Sequence, residues 1–248
     1  GLGTAGAALG TGLAELVVGL YLLYFVLRRS PVLRLQKGEH LRFNRPQLCT
    51  MLCIAAPVAS EKVILTTAQI VSTAIVAPLG TVAIAANSFA ITAESLCYMP
   101  AYGIQSAAAM LVGQSVGAGR RNMARRLGWV TVLIGVAVMI ITGGLLYILA
   151  PQMMAILTPN PDIIALGARV LRIEAFAEPL FGASIVAGGV FQGVGSTLIP
   201  TLFNLGTMWG IRIPLAWLAA PRWGLPGVWA AMCLELCVRC LLYTSPSP

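Results

Sequence analysis

Charge is what this chain has least of. Only 10% of its 248 residues are Asp, Glu, Lys or Arg, where an ordinary soluble domain carries about a quarter. Acids are scarcer than bases, 8 against 16. The one histidine, His40, sits in a basic loop, so His-dependent catalysis and metal-peptidase motifs have no material to work with. Cys49, Cys53, Cys97, Cys233, Cys237 and Cys240 lie in or beside apolar stretches with no histidine near them. They read as small packing residues rather than metal ligands. No nucleophile with a base beside it emerges, so no catalytic residue is assigned, no cofactor is expected and the chain is not read as an enzyme. The N-terminus lacks an initiator Met, a charged leader and a cleavage site. A fragment is expected, opening neither on a signal peptide nor at a natural start. Residues 244–248 read as a polar tail, native or appended.

Apolar residues are present in abundance, at 58% of the chain with a mean hydropathy of +0.87. The expected class is an all-α integral membrane protein, with the lipid bilayer as a partner. A net charge of +8 would suit nucleic acid, but the cations fall in short clusters between apolar runs, as the positive-inside bias places them. No basic helix interleaved with aromatics is present, so nucleic acid is not a partner.

A helix needs about 20 apolar residues to cross a bilayer, and on that ruler seven crossings are expected, at 4–27, 46–76, 81–119, 127–149, 163–190, 197–219 and 226–243. The densest cations, Arg28, Arg29, Arg34, Lys37, Arg42 and Arg45, mark residues 28–45 as a basic cytoplasmic linker, and Arg120, Arg121, Arg125 and Arg126 mark a second inside loop. The outside loops carry only Arg222. One of them covers 150–162, with Met153 to Leu157 expected along the interface.

The second crossing carries Lys62, Thr66, Gln69 and Thr73 at helical spacing, with Glu61 at the stripe's edge and Pro57 as a kink. On the third, Asn87, Glu94, Tyr98 and Gln105 also line up. Polar faces in a lipid-immersed bundle turn inward, and these two are expected to enclose a wet cavity rather than act only as glue between helices. The fifth crossing holds Arg169, Arg172, Glu174 and Glu178, followed by Pro179. Its two acids, four apart, are expected to share a face and repel. Glu174 is also placed to neutralise Arg169 or Arg172, and Arg212 with Glu235 reads as an interhelical structural pair.

An acid in hydrocarbon costs several kcal/mol unless it meets water or a partner. The candidate cation- or substrate-binding residues are therefore Glu178, Glu94, Glu61 and Glu174, with the polar Gln69, Asn87, Tyr98 and Gln105 beside them. Glu178 ranks first, because Pro179 frees backbone carbonyls that could join it in an ion site. Na⁺ at Glu178 is the one metal ion considered.

The seams between the helices carry a recurring set of motifs. They are Pro57 with Ala77-Pro78-Leu79-Gly80, then Met99-Pro100 through Gly103, then Leu111-Val112-Gly113-Gln114-Ser115-Val116-Gly117-Ala118-Gly119. Gly189 through Thr197 with Pro200, Arg212-Ile213-Pro214, and Gly224 through Trp229 follow. In order and spacing this set resembles the multidrug and toxic compound extrusion (MATE) transporters, from Gly1 to about Leu242. The resemblance implies two six-helix bundles with the substrate path between them. On that template residues 1–27 are the last helix of an otherwise missing N-terminal bundle, 28–45 the linker and 46–243 the six-helix C-terminal bundle, and the missing bundle is an expected partner.

The function implied is export of small cationic, amphipathic organic compounds in exchange for inward-moving H⁺ or Na⁺, by alternating access. The implied location is a bacterial inner (cytoplasmic) membrane. The ion-binding carboxylates of some bacterial members fall near Leu65 and Phe181, about one turn beyond Glu61 and Glu178, so the acids here are assigned by the cost of intramembrane charge. Two other readings stand beside this one: a lipid-linked oligosaccharide flippase of a related superfamily, which would want a more cationic cavity, and an inactive truncated membrane protein. The stripes carry Lys62 as their only cation, which favours cationic cargo.

Overall fold

The computed structural model describes residues 3–28 and 45–244, so the linker cations from Arg29 to Arg42, His40 and the end of the polar tail lie outside the described residues. Among the described residues every regular element is helical. The helices are α1 (Gly3–Arg28), α2 (Arg45–Val76), α3 (Thr81–Gly117), α4 (Arg121–Leu157), α5 (Pro161–Glu174), α6 (Glu178–Val194), α7 (Leu198–Thr207) and α8 (Ile213–Thr244). A short 3-10 turn, Ala77–Leu79, leads into α3, and a π turn, Met208–Arg212, joins α7 to α8.

The chain divides into two compact units, Gly1–Cys49 and Thr50–Pro248. In the first, α1 exposes Leu13, Val17, Leu20 and Tyr24, as suits a helix that meets lipid, with Glu15 the one acid on it.

Among the described residues five helical runs are long and apolar enough to cross a membrane, against the seven crossings expected. The two numbers reconcile through two breaks. The run Leu198–Tyr243 has 46 residues, about twice what one crossing needs. Gly224 breaks it with φ 62 and ψ −148, between Pro221 and Pro226. The fifth crossing is divided as well: α5 has 14 residues and α6 has 17, each short of the roughly 20 that span a bilayer. One expectation changes. Met153 to Leu157 continue α4 instead of lying apart, Met154 is fully buried, and only Thr158–Asn160 connect to α5. Pro151 sits inside α4 without ending it.

Local chemistry explains the joints. Asn160 caps α5, its side chain accepting from the Asp162 N–H at 3.0 Å, with Pro161 next in line. At the end of α3 the Arg120 N–H donates to Ser115 O and the Gly119 N–H to Val116 O, both at 2.9 Å. Gly119 makes that turn at φ 72, a left-handed conformation that glycine adopts without strain.

Helices α3, α4 and α6 pack closest, with α5 and α8 against them. Small residues set that approach: a Cβ on Gly143 would stand 3.0 Å from Glu178 Cβ, and one on Gly128 would stand 3.2 Å from Val190. Trp229 of α8 is 2% exposed and donates through Nε1 to Asn87 Oδ1 of α3 at 3.0 Å, which satisfies the indole where water is absent. Helix α2 meets the rest of its unit mainly through side chains.

Candidate functional site

Two adjoining cavities lie between α2, α3, α6, α7 and α8. The larger, about 270 Å³, is lined by Gln69, Glu94, Tyr98, Met208, Arg212 and Arg239 among others. The smaller, about 70 Å³, is lined by Glu61, Lys62, Gln105, Ser184, Asn204 and Arg239 among others. Leu65, Tyr102, Phe181 and Arg239 line both. Aromatic rings form much of the shared wall. Tyr98 lies edge-on to Tyr102 at 5.6 Å and to Phe181 at 5.8 Å between centroids, and Lys62 Nζ stands 5.7 Å over the Tyr102 ring, a cation–π geometry.

The two polar stripes contribute unequally. On α3, Glu94, Tyr98 and Gln105 reach the cavities, while Asn87 is buried elsewhere as the acceptor for Trp229. On α2, Gln69 lines the larger cavity and Thr73 bonds back to the Gln69 carbonyl at 2.9 Å. Lys62, although exposed, lines the smaller cavity, whereas Thr66 is exposed and lines neither, so that stripe is not turned inward along its whole length. The reason is that Glu61, at its edge, is the residue drawn in: Asn204 Nδ2 donates to Glu61 Oε1 at 2.6 Å. An amide, not a cation on a neighbouring helix, is its partner.

The acids of the fifth crossing differ from expectation. Residues 175–177 interrupt the helix, so Glu174 ends α5 and Glu178 opens α6 rather than standing on one continuous face. Both are fully buried, and none of their four carboxylate oxygens has a hydrogen-bond partner among the described residues. Neither lines either of these two cavities. Arg169 and Arg172 are exposed, and Arg172 Nε donates to the Tyr147 carbonyl at 3.4 Å, so Glu174 is not neutralised there. Pro179 has no N–H to offer the Ala175 carbonyl, which sits against Gly143.

The Arg212–Glu235 pair is not formed. Glu235 pairs within its own helix with Arg239, whose Nη2 and Nε approach Oε1 at 2.7 and 2.8 Å, and Arg212 donates to the Met232 sulfur. Arg212 interacts electrostatically with Glu94, Glu174 and Glu235, and Glu174 with Glu94 and Glu178. Sequence reasoning missed Arg239 and Asn204. Arg239 stands four residues after Glu235 on a helix, a spacing that signals such a pair; Asn204 carries no comparable signal. It also passed over the C-x-x-C spacing of Cys237 and Cys240. Both are on α8 in no disulfide, and among the described residues no group of three or more metal-ligating side chains gathers.

A MatE family model matches residues 57–218. The chain belongs to the MatE family. Among its relatives, a probable multidrug resistance protein NorM of Thermotoga maritima is 28% identical over 250 residues, 97% of this chain and 52% of that protein. A NorM of Chromobacterium violaceum is 30% identical over 176 residues, 68% of this chain and 38% of that protein. Two solved structures share the fold. A MATE transporter in complex with MaL6 has a TM-score of 0.85 at 17% identity, covering 97% of this chain and 55% of that one. A MOP superfamily transporter from Pyrococcus furiosus, described by the reverse polarity of its binding pocket, also has a TM-score of 0.85 at 17% identity, covering 98% and 55%. The chain thus spans about half the length of the relatives it matches. It is a multi-pass membrane segment of a family whose matched members are named as transporters and multidrug resistance proteins.

In this MatE chain Leu65 and Phe181, the positions near which the family's acids were expected, both stand in the shared wall of the two cavities and are apolar. Among the nearby candidates, Glu61 reaches a cavity and Glu178 is sealed behind the wall.

Proposed function

We propose that this chain works as the C-terminal bundle of a secondary active transporter in a bacterial inner membrane, exporting cationic amphipathic compounds by H⁺ or Na⁺ antiport through alternating access. The observation that carries this reading is an imbalance of charge. Glu94, Glu174, Glu178 and Glu235 are buried inside the bundle, where Arg212 and Arg239 are the cations that face them among the described residues. With every group ionised, the interior is two positive charges short. An ionised carboxylate sealed from water without a partner costs several kcal/mol, so the missing charge must come from protons, metal cations or cargo. That competition for one set of carboxylates is what exchange coupling requires. The aromatic wall of Tyr98, Tyr102 and Phe181 offers π faces to an organic cation.

The larger cavity, about 270 Å³, falls below the roughly 300–1,000 Å³ of drug-sized sites, so cargo also needs surface from an N-terminal bundle, the partner of this half. Arg212 and Arg239 outnumber Glu94 in the lining of the larger cavity, so the acid excess lies in the carboxylates buried behind its wall and not in the lining itself. The family match and the acid excess still favour cationic cargo over a pyrophosphate-linked lipid.

The test is efflux of a fluorescent lipophilic cation from vesicles holding the full natural protein. Glu94→Gln and Glu178→Gln are each expected to abolish gradient-driven efflux at unchanged protein level. Efflux undiminished in both variants would sink the assignment of coupling to this cluster.

A further inference from the structure

Two apolar grooves flank a single arginine at the end of the bundle where α2 turns into α3. One, about 600 Å³, lies between α2 and α8 and is lined by Val71, Ala74, Ile75, Leu79 and Trp217 among others. The other, about 210 Å³, runs along α8 past Trp223, Ala230 and Leu234. Leu218 and Arg222, one helical turn apart, line both and so form the ridge between them. Among the described residues Arg222 is the only charged one in either lining. It is exposed and makes no ion pair or hydrogen bond with another described residue. Trp217 and Trp223, 68% and 69% exposed, stand one in each groove, in the manner of aromatics at a membrane–water boundary.

We propose that this ridge binds one anionic diacyl phospholipid, its phosphate on Arg222 and one acyl chain in each groove. The site is separate from the carboxylate cluster and does not rest on the transport reading. Its position agrees with a headgroup: α3 runs from this end to Arg120 and Arg121 at the other, so Arg222 lies at the face opposite those two arginines. Charge decides between occupants. A protein helix laid over the ridge would seal the guanidinium with no acid among the described lining residues to meet it, at a cost of several kcal/mol for any helix that brings no acid of its own. A phosphate neutralises the guanidinium while leaving it at the water boundary, where long cationic side chains settle. Two grooves divided by one cation also match a lipid with two chains better than a detergent or fatty acid with one.

The experiment uses the full natural protein in detergent, stripped of lipid, titrated with phosphatidylglycerol, phosphatidylcholine or lysophosphatidylglycerol and read by native mass spectrometry. One tightly held phosphatidylglycerol is expected, preferred over both others. Arg222→Gln should weaken it about fivefold, the contribution of one cation near an anionic headgroup, to the level of phosphatidylcholine, and Arg222→Lys should keep most of the preference. Ala74→Trp or Ala230→Trp, at exposed positions that fill one groove each, should remove the advantage of two chains over one while keeping that of anionic over zwitterionic headgroups. Equal retention of phosphatidylglycerol and phosphatidylcholine, or binding unchanged by Arg222→Gln, overturns the proposal. Competition by glycerol phosphate as effective as by the lipid would mean an anion site alone, and also overturns it. No lipid bound, with Trp217 and Trp223 shielded from a lipid-borne quencher, would mean that another part of the protein covers the ridge, and likewise overturns the proposal.

Discussion

Arg239 touches more of the interior's chemistry than any residue singled out from the sequence. It pairs with Glu235 on its own helix and lines both cavities. Removing it leaves a fully buried carboxylate without its hydrogen-bonded cation. Arg239→Met is therefore expected to destabilise the protein by about 3–5 kcal/mol, while the double change Arg239→Met with Glu235→Met recovers most of the loss. Thermal unfolding in detergent would read this, and a single variant as stable as the parent would show that the pair does no structural work. The four-residue spacing of Glu235 and Arg239 was legible. The other error was not: Arg212 closes a π turn, whose extra residue per turn shifts the direction of every later side chain relative to a regular helix. Helical spacing alone cannot reveal that shift, so Arg212 was aimed at the wrong partner. Glu61 illustrates the remaining gap. Its intramembrane position was visible, but its partner Asn204 is 143 residues away, and only the packing of α7 brings them together.

Among the elements, the α4–α6 seam decides where the buried acids sit. Gly128 and Gly135 of α4 face Val190 and Val186 of α6, and Gly143 faces Glu178. A side chain at Gly135 would collide with the Val186 side chain, and the carbonyl of Gly182 lies just beyond. Gly135→Leu is expected to cost about 1–3 kcal/mol by overpacking and to lower the unfolding midpoint accordingly. Gly144, whose added Cβ meets nothing within 4 Å, is the matched control, and Gly144→Leu should be tolerated. Equal loss at both positions would mean that the seam is not closely packed. The sequence announced the break in the fifth crossing through Pro179, and the α3–α4 turn through its glycine run. It did not show that three residues would separate Glu174 from Glu178, because the proline's effect reaches back to the Ala175 carbonyl it leaves unbonded. Continuity of the hydrophobic run hid the kink.

At the scale of the whole molecule, the charge balance of the interior bears on energetics rather than on fold. If four carboxylates face two guanidiniums, a neutral interior always holds two further positive charges, whatever carries them. In an antiporter built on this bundle, a monovalent cargo leaving and one H⁺ or Na⁺ entering would each replace the other on the same carboxylates. The loaded bundle would then carry the same net charge in both directions. The expected outcome is electroneutral exchange. Efflux of a monovalent cation by the full protein should follow an imposed pH or sodium gradient, and should not change when the membrane potential is clamped at different values with potassium and an ionophore. Varying sodium at fixed pH, and pH without sodium, separates the two coupling ions. A rate that rises with potential would show that a charge crosses uncompensated. More than one H⁺ or Na⁺ would then enter for each cargo cation that leaves, and the bundle would carry a different net charge on its two journeys.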